Sequence, residues 1–442
     1  MTGLRIGNGC GFWGDSVDAP ARLAAEGSLH YLTLEYLAEL TMSILALQKQ
    51  RDPQAGYASD FLDVLPTLLP YLPALRIITN AGGMNPSGCA QRARALLDAA
   101  GLANAPIGVV HGDDLMPQLD RHELRHLDTG EPLSRVRDRV VSANAYLGSA
   151  PIVEALDRGA SLVLTGRVAD ACLTVGPSAY EHNWKWDDWD RLAGGTVAGH
   201  LIECGAQVSG GLWLHSEECD LARIGYPIAS VQADGSCTLS KPQGTGGAIN
   251  RETVSEQLLY EVANPAAYLT PDVQADFTSV SLTPTGNPDE IHVSTAKGQP
   301  APDTLKVSIA YRDGWAAAGT LVIPGPGATA KARRCGDIVR RRLERIDAVP
   351  EVFYVEVLGS GDTLPAGTLP IADPPEVVLR IYARDAQRAK VQRFTRELAP
   401  LVTSGPPGIT GYTTGRPPVR EVFAFWPALI PREAVTPTVE LL

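Results

Sequence analysis

The seven cysteines of this 442-residue chain (Cys10, Cys89, Cys172, Cys204, Cys219, Cys237 and Cys335) are odd in number and never form a C-x-x-C pair. Neither a disulfide framework nor a structural zinc site is expected from that scatter. The eight histidines show no H-x-H pattern, and the H-E-x-x-H spacing occurs once, at His122-Glu123-Leu124-Arg125-His126. His122 and His126 lie four apart, but Arg121 and Arg125 stand beside them and favour a solvated face over a metal site. A surplus of basic charge is missing too. The net charge is −12, and sequence-independent binding to nucleic acid or to an anionic membrane needs the opposite sign. Long apolar runs are also absent: Glu35 and Glu39 interrupt the most apolar helical region, residues 31–47, and the N-terminus lacks the charged and apolar regions of a signal peptide. The expected location is the cytoplasm, with no membrane partner.

What is present is an ordinary globular composition. The chain is 44% hydrophobic and 20% charged, and its 43 Gly and 34 Pro fall between recurring apolar runs, which implies turns rather than disorder. Its length suggests two or three domains. Residues 1–211 alternate short apolar runs with helical patterns, the signature of an α/β domain: a mostly parallel, Rossmann-like sheet with helices on both faces. Residues 212–304 form a connecting region with a Gly-rich loop and a helix. Residues 305–442 have the rhythm of an α+β domain, opening with an expected antiparallel pair, 305–311 and 316–323, around Arg312, Asp313 and Gly314, and with Asp385 as the expected N-cap of a helix running to Leu398.

The stretch 160–173 organises the first domain. Its apolar run, Leu162 to Leu164, has the length of a buried strand and breaks at Thr165-Gly166 into Arg167 and Asp170. In open α/β sheets ligands bind beyond the carboxyl ends of strands, so Arg167 and Asp170 stand where a substrate would stand, unless they only pair with each other. Other strand ends repeat the arrangement. Gly9, Gly11 and Gly14 precede Asp15, with a spacing that only superficially resembles a dinucleotide fingerprint, because Phe12 and Trp13 are odd in a pyrophosphate turn. A nicotinamide cofactor is disfavoured.

Glu35 closes the expected second strand and opens an expected helix over 35–50, with Tyr36, Leu37, Leu40, Ile44 and Leu47 as its core stripe and Glu35 and Glu39 four apart on another face. Like charges at that spacing do not stabilise a helix, so they are either solvated or paired elsewhere, or Glu35 is a general acid or base. Asn80 ends the third strand, and His111 and Asp113 follow the fourth. The expected catalytic group is Glu35, Asp170, Arg167 and Asn80, with Asp15, His111 and Asp113 lining the crevice.

Two further features are ambiguous. The loop Gly244-Thr245-Gly246-Gly247 leads toward a helix expected to run to about residue 262, a device that can hold a carboxylate or a coenzyme A phosphate, or that is simply a tight turn. His200 and Cys204 are one helical turn apart, which suits an activated thiolate or a packed small side chain.

The tail brings a likeness. Ser404 to Tyr412, Gly415-Arg416-Pro417, Phe425-Trp426-Pro427 and Pro431 to Val435 resemble the end of the AtuA family, named for acyclic terpene utilisation. The segments 7–14, 35–42, 80–85, 165–170, 240–247 and 303–315 agree with it in order and spacing, so the resemblance spans nearly the whole chain. It implies a role in the catabolism of branched or isoprenoid carboxylic acids beside acyl-coenzyme A carboxylation. Longer relatives continue after the Pro-Arg-Glu-Ala-Val segment into a small ferredoxin-like domain, so a separate small ferredoxin-like polypeptide is an expected partner, along with a homo-oligomer.

Three functions are open on this reading. The first is a lyase or hydratase on a branched hydroxy or unsaturated acid, or on its coenzyme A thioester. The second is a hydrolase or acyl transferase with Cys204 or Cys172 as nucleophile. The third is a non-catalytic metabolite-binding or assembly subunit of an acyl-CoA carboxylase pathway. No cofactor is otherwise implied, although magnesium held by carboxylates needs no tight spacing and stays compatible.

Overall fold

Short apolar runs that end in polar loops become parallel strands in the computed structural model, which describes residues 3–365, 374–410 and 415–442. The chain divides into two compact units, one built from residues 1–310 and 425–442 and the other from residues 311–424.

In the first unit, β1 (Leu4–Asn8), β2 (Tyr31–Leu34), β3 (Arg76–Thr79), β4 (Ile107–His111), β5 (Val140–Ala145) and β6 (Leu162–Thr165) alternate with α1 (Ala19–Glu26), α2 (Glu39–Arg51), α3 (Ser59–Leu68), α4 (Pro86–Ala99) and α5 (Ala150–Asp157). Five of the strands lie parallel in the order β1-β2-β3-β6-β4. Every residue of β2 and β6 is buried, as expected where helices cover both faces of a parallel sheet. Helices α1, α3 and α4 pack together over one face, while α5, α6 (Cys172–His182) and α7 (Trp189–Glu203) pack over the other. The principal core joins Leu23, Phe61 and Ala93 to Leu34, Ile77 and Leu164.

Residues 212–304 belong to this same unit. Strands β7 (Ile228–Val231) and β8 (Cys237–Ser240) run antiparallel beyond β1. After α8 (Arg251–Leu259), β9 (Tyr268–Leu269) and β10 (Gln274–Asp276), the sheet is extended by β11 (Leu282–Pro284) and β12 (Ile291–Val293). A small sheet of β9, β10 and β13 (Lys297–Gln299) lies against α7. On the opposite edge of the main sheet, Thr438–Leu441 pairs antiparallel with β4.

The second unit is an antiparallel sheet in the order β15-β16-β14-β17, formed by β14 (Thr304–Pro324), β15 (Val352–Leu358), β16 (Glu376–Asp385) and β17 (Arg420–Pro431), where β14 and β17 also carry the chain between the units. Helices α9 (Ala328–Glu344) and α10 (Arg388–Phe394) cover it with Val339, Leu343, Val391 and Phe394.

Three local expectations are corrected. The helix after β2 starts at Glu39, not at Glu35, because Tyr36 and Leu37 stay outside both elements and give their backbone groups to the site described below. Its buried face is therefore Met42, Ser43, Leu45 and Ala46, with Leu40 and Ile44 exposed. Residues 304–324 form one continuous strand rather than a hairpin. Gly314, at φ +90°, bends it without reversing it, and Trp315 onward pairs with β16. Asp385 ends β16 instead of opening a helix that runs to 398: its carboxylate holds the amides of Gln387 and Glu351, and α10 begins at Arg388. Of the tail segments, Gly411 and Tyr412 lie outside the described residues.

Candidate functional site

The carboxyl ends of β2, β3 and β6 bring Glu35, Asn80 and Arg167 together. The Glu35 amide donates to the Cys10 carbonyl at 2.9 Å, which fixes the end of β2 against the loop after β1. Asn80 then clamps the turn. Its carbonyl oxygen accepts the Tyr36 amide at 2.8 Å and its amide nitrogen donates to Glu35 Oε1. The Leu37 amide adds a second hydrogen bond to the same Oε1 at 2.8 Å, while Glu35 Oε2 is buried with no partner. Burial pushes this carboxyl well above the ordinary carboxylate range, the charge of Asp170 adds to the shift, and Arg167 and Asn80 offset only part of it. Burial thus favours the protonated form of Glu35, with the free Oε2 as the place for its proton.

Arg167 is the buried cation of the site, only 2% exposed. Its guanidinium donates to the Leu37 carbonyl at 2.8 Å and to Asp170, and it lies over the Tyr146 ring at 4.2 Å, leaving Nε buried and unpartnered. Burial opposes its charge, but Asp170, Tyr146, Glu35 and Glu39 hold it cationic. Tyr146 is itself braced, because its hydroxyl donates to Glu39 at 2.7 Å and Lys306 pairs with the same carboxylate at 3.2 Å. Burial works against the Glu39 charge, yet these partners bring its carboxyl down to about 2. Glu39 thus supports the platform under Arg167 from the first turn of α2. Asp170, at 39% side-chain exposure, forms the solvent side of the cluster.

Asp113 supports Arg167 through the main chain. It accepts the Arg167 amide at 2.9 Å and the Asn144 side chain at 2.8 Å, and burial pushes it up to about 6 against those two bonds. Only glycine fits between Asp113 and this turn, since a Cβ on Gly166 would lie 2.5 Å from Asp113 Oδ1.

A second acid joins from α7. A Cβ on Gly199 would meet the Ala171 carbonyl at 2.7 Å, so α7 approaches the loop carrying Asp170 backbone to backbone. One turn further, His200 Nδ1 lies 3.1 Å from Glu203 Oε1, and His200 Nε2 lies 2.9 Å from the Gln257 carbonyl. Asn8 on β1 holds the Ile202 and Glu203 carbonyls at 2.6 and 2.9 Å, and Thr33 donates to Asn8 at 3.1 Å from two residues before Glu35. Burial pushes Glu203 up to about 7, with Asp170 raising it and His200 and Arg167 opposing. Glu203 was not among the sequence-derived candidates. Its signal was the spacing of three from His200, whereas the spacing of four to Cys204 drew attention instead.

The other sequence-derived residues fall elsewhere. Asp15 accepts the Gly11 amide at 2.8 Å and the Tyr226 hydroxyl at 2.5 Å, so it braces the loop after β1. His111 lies 3.6 Å from Glu440 and 3.5 Å from Ser87. In the loop 244–247, Lys241 reaches the Thr245 carbonyl at 2.9 Å, and Gly246 bridges to Ile224. The Glu252 and Thr253 amides of the first turn of α8 donate to Asn250 at 2.8 and 2.9 Å, so these two of the anion-binding donors expected there are filled by the chain itself. Burial pushes the Cys204 thiol up to about 12 and Cys172 well above its usual value, the reverse of an activated thiolate.

Among the described residues, no group of three or more His, Cys, Asp or Glu is arranged to hold a metal ion, and no helix is long and apolar enough to cross a membrane. No curated protein and no solved structure matches the chain. The family described as acyclic terpene utilisation family protein AtuA matches residues 4–441. With nearly every residue inside that match, the chain belongs to the AtuA family.

Proposed function

We propose that this protein is a lyase or hydratase acting on a branched hydroxy or unsaturated carboxylic acid, or on its coenzyme A thioester, within the terpenoid catabolism that the family description suggests. The observation that carries the reading is Glu35, a buried carboxyl with Oε2 unpartnered and Arg167 and Asp170 beside it. A neutral carboxylic acid can protonate a departing hydroxyl, or hydrate a double bond in reverse, and such a positioned proton donor contributes about 10²–10⁴-fold. Arg167, with an unpaired Nε–H, is suited to hold the substrate carboxylate or carbonyl. Asn80 keeps the acid oriented so that only Oε2 is free to move a proton.

The test is a thermal-stabilisation panel of 3-hydroxy-3-methylbutanoate, 3-methylbut-2-enoate and their coenzyme A thioesters, followed by turnover assays on any compound that binds. A compound at about 100 times its Kd adds about 2.7 kcal/mol to the wild type. Arg167→Ala is expected to lose that stabilisation. Glu35→Gln, which mimics the neutral acid in shape, is expected to bind and melt as the wild type does while losing turnover. Equal turnover by Glu35→Gln would sink this reading.

A further inference from the structure

His200 and Glu203 are bonded in a way that fixes where protons sit. The Gln257 carbonyl can only accept, so His200 Nε2, at 2.9 Å, must carry a hydrogen. In a neutral ring with Nε2–H, Nδ1 is a lone-pair acceptor, and a carboxylate at 3.1 Å would then face it with no proton between them. One proton must therefore lie in the Nδ1···Oε1 contact, either as imidazolium and carboxylate or as imidazole and carboxylic acid. The pair is walled in: the His200 ring lies 5.5 Å from Tyr268 and 5.3 Å from Phe277, and the Gln257 side chain returns a hydrogen bond to the His200 carbonyl at 3.0 Å. Glu203 Oε2 is buried without a partner, the same condition as Glu35 Oε2. Asp170 acts electrostatically on Glu35, Glu203 and His200 alike, and Arg167 acts on both acids. Tyr268 and Cys204 also feel the Glu203 charge, and burial keeps both protonated.

We infer that His200 and Glu203 form a one-proton dyad that is the second acid–base group of this site, with Glu203 Oε2 the atom that exchanges a proton with the substrate and His200 the positioning residue. The inference rests on the dehydration reading above for its substrate. In that reaction Glu35 gives its proton to the leaving hydroxyl, which departs as water with the C–O electron pair. Glu203 Oε2 takes the proton from the neighbouring carbon, and the C–H pair becomes the double bond. The dyad then holds two protons and Glu35 none, and return of one proton through solvent restores both groups.

The protonation claim is read independently of turnover, by histidine-ring ¹⁵N NMR on the full chain, with His200→Gln assigning the signal. The expected result is an Nε2 that carries hydrogen throughout pH 6–8 and an Nδ1 signal that shifts in Glu203→Gln. Glu203→Asp provides a carboxylate-bearing control if Glu203→Gln folds poorly. The catalytic claim is read from deuterium entry next to the carbonyl of 3-hydroxy-3-methylbutanoyl-coenzyme A in D₂O. Glu203→Gln is expected to slow that exchange about 10²–10⁴-fold, whereas Glu35→Gln retains exchange and loses dehydration. A bare Nε2, or exchange by Glu203→Gln at the wild-type rate, overturns the inference. A wild type that exchanges nothing while its His200 spectrum is as expected upholds the dyad and overturns the dehydration reading instead.

Discussion

Asp113→Asn should flatten the acid side of the stability profile. In the folded protein burial raises Asp113 from 3.8 to about 6, while in the unfolded chain it ionises at its ordinary value. Between those two values the folded state still binds a proton that the unfolded state has lost. The slope of unfolding free energy with pH follows the protons bound unfolded minus those bound folded, so it is negative there. Wild-type stability accordingly falls as pH rises through this window and levels off above about 6. A gap of about two pKa units corresponds to about 3 kcal/mol. The asparagine keeps a carbonyl oxygen for the Arg167 amide and the Asn144 side chain and carries no ionisation cost. Urea midpoints for both proteins at pH 4, 5, 6 and 7 measure the difference directly, because other titrating groups act equally on each. Asp113→Asn should gain about 2.4 kcal/mol on the wild type between pH 4 and pH 7, the rest of the difference lying below pH 4. Parallel profiles for the two proteins would refute the argument that a buried, desolvated carboxyl sits behind Arg167.

Gly166→Ala should lower the melting temperature, since the new methyl would press on the Asp113 carboxylate from 2.5 Å, a strain worth about 1–3 kcal/mol. Asp113 and the Arg167 amide are thereby pushed apart, and calorimetry on the full chain reads the loss. Iodoacetamide at pH 7.5 should label Cys172 and Cys204 slowly, because burial keeps both thiols protonated, and Cys204→Ser should retain turnover. Rapid labelling of Cys204 that tracks loss of activity would revive a thiolate nucleophile.

Much of the fold was legible in the sequence for a simple reason. Leu162 to Leu164, Ile77 to Thr79 and Tyr31 to Leu34 are short, mostly apolar runs bounded by turn residues, too short for a helix and suited to a strand buried on both faces. The α/β layering and the polar strand ends carrying Glu35, Asn80 and Arg167 follow from it. The misplaced helix start at Glu35 arose because Tyr36 and Leu37 fit a helical wheel, while their backbone groups are instead used by Asn80 and Arg167. Such a use depends on partners more than 40 residues away, which no local period records.

By itself, then, the sequence determined the element types, the sign of the overall charge and the chemistry available at the strand ends, since these follow from side-chain transfer energies and local periodicity. Tertiary structure alone decided protonation and grouping. Burial shifts Glu35 toward its protonated form. Gly199 seats α7 against Ala171 and brings Glu203 within electrostatic reach of Asp170, and Asn250 caps the helix that the glycine-rich loop leads to. A residue's charge state depends on the solvent and neighbours it loses on folding, and those are set by contacts distant in sequence.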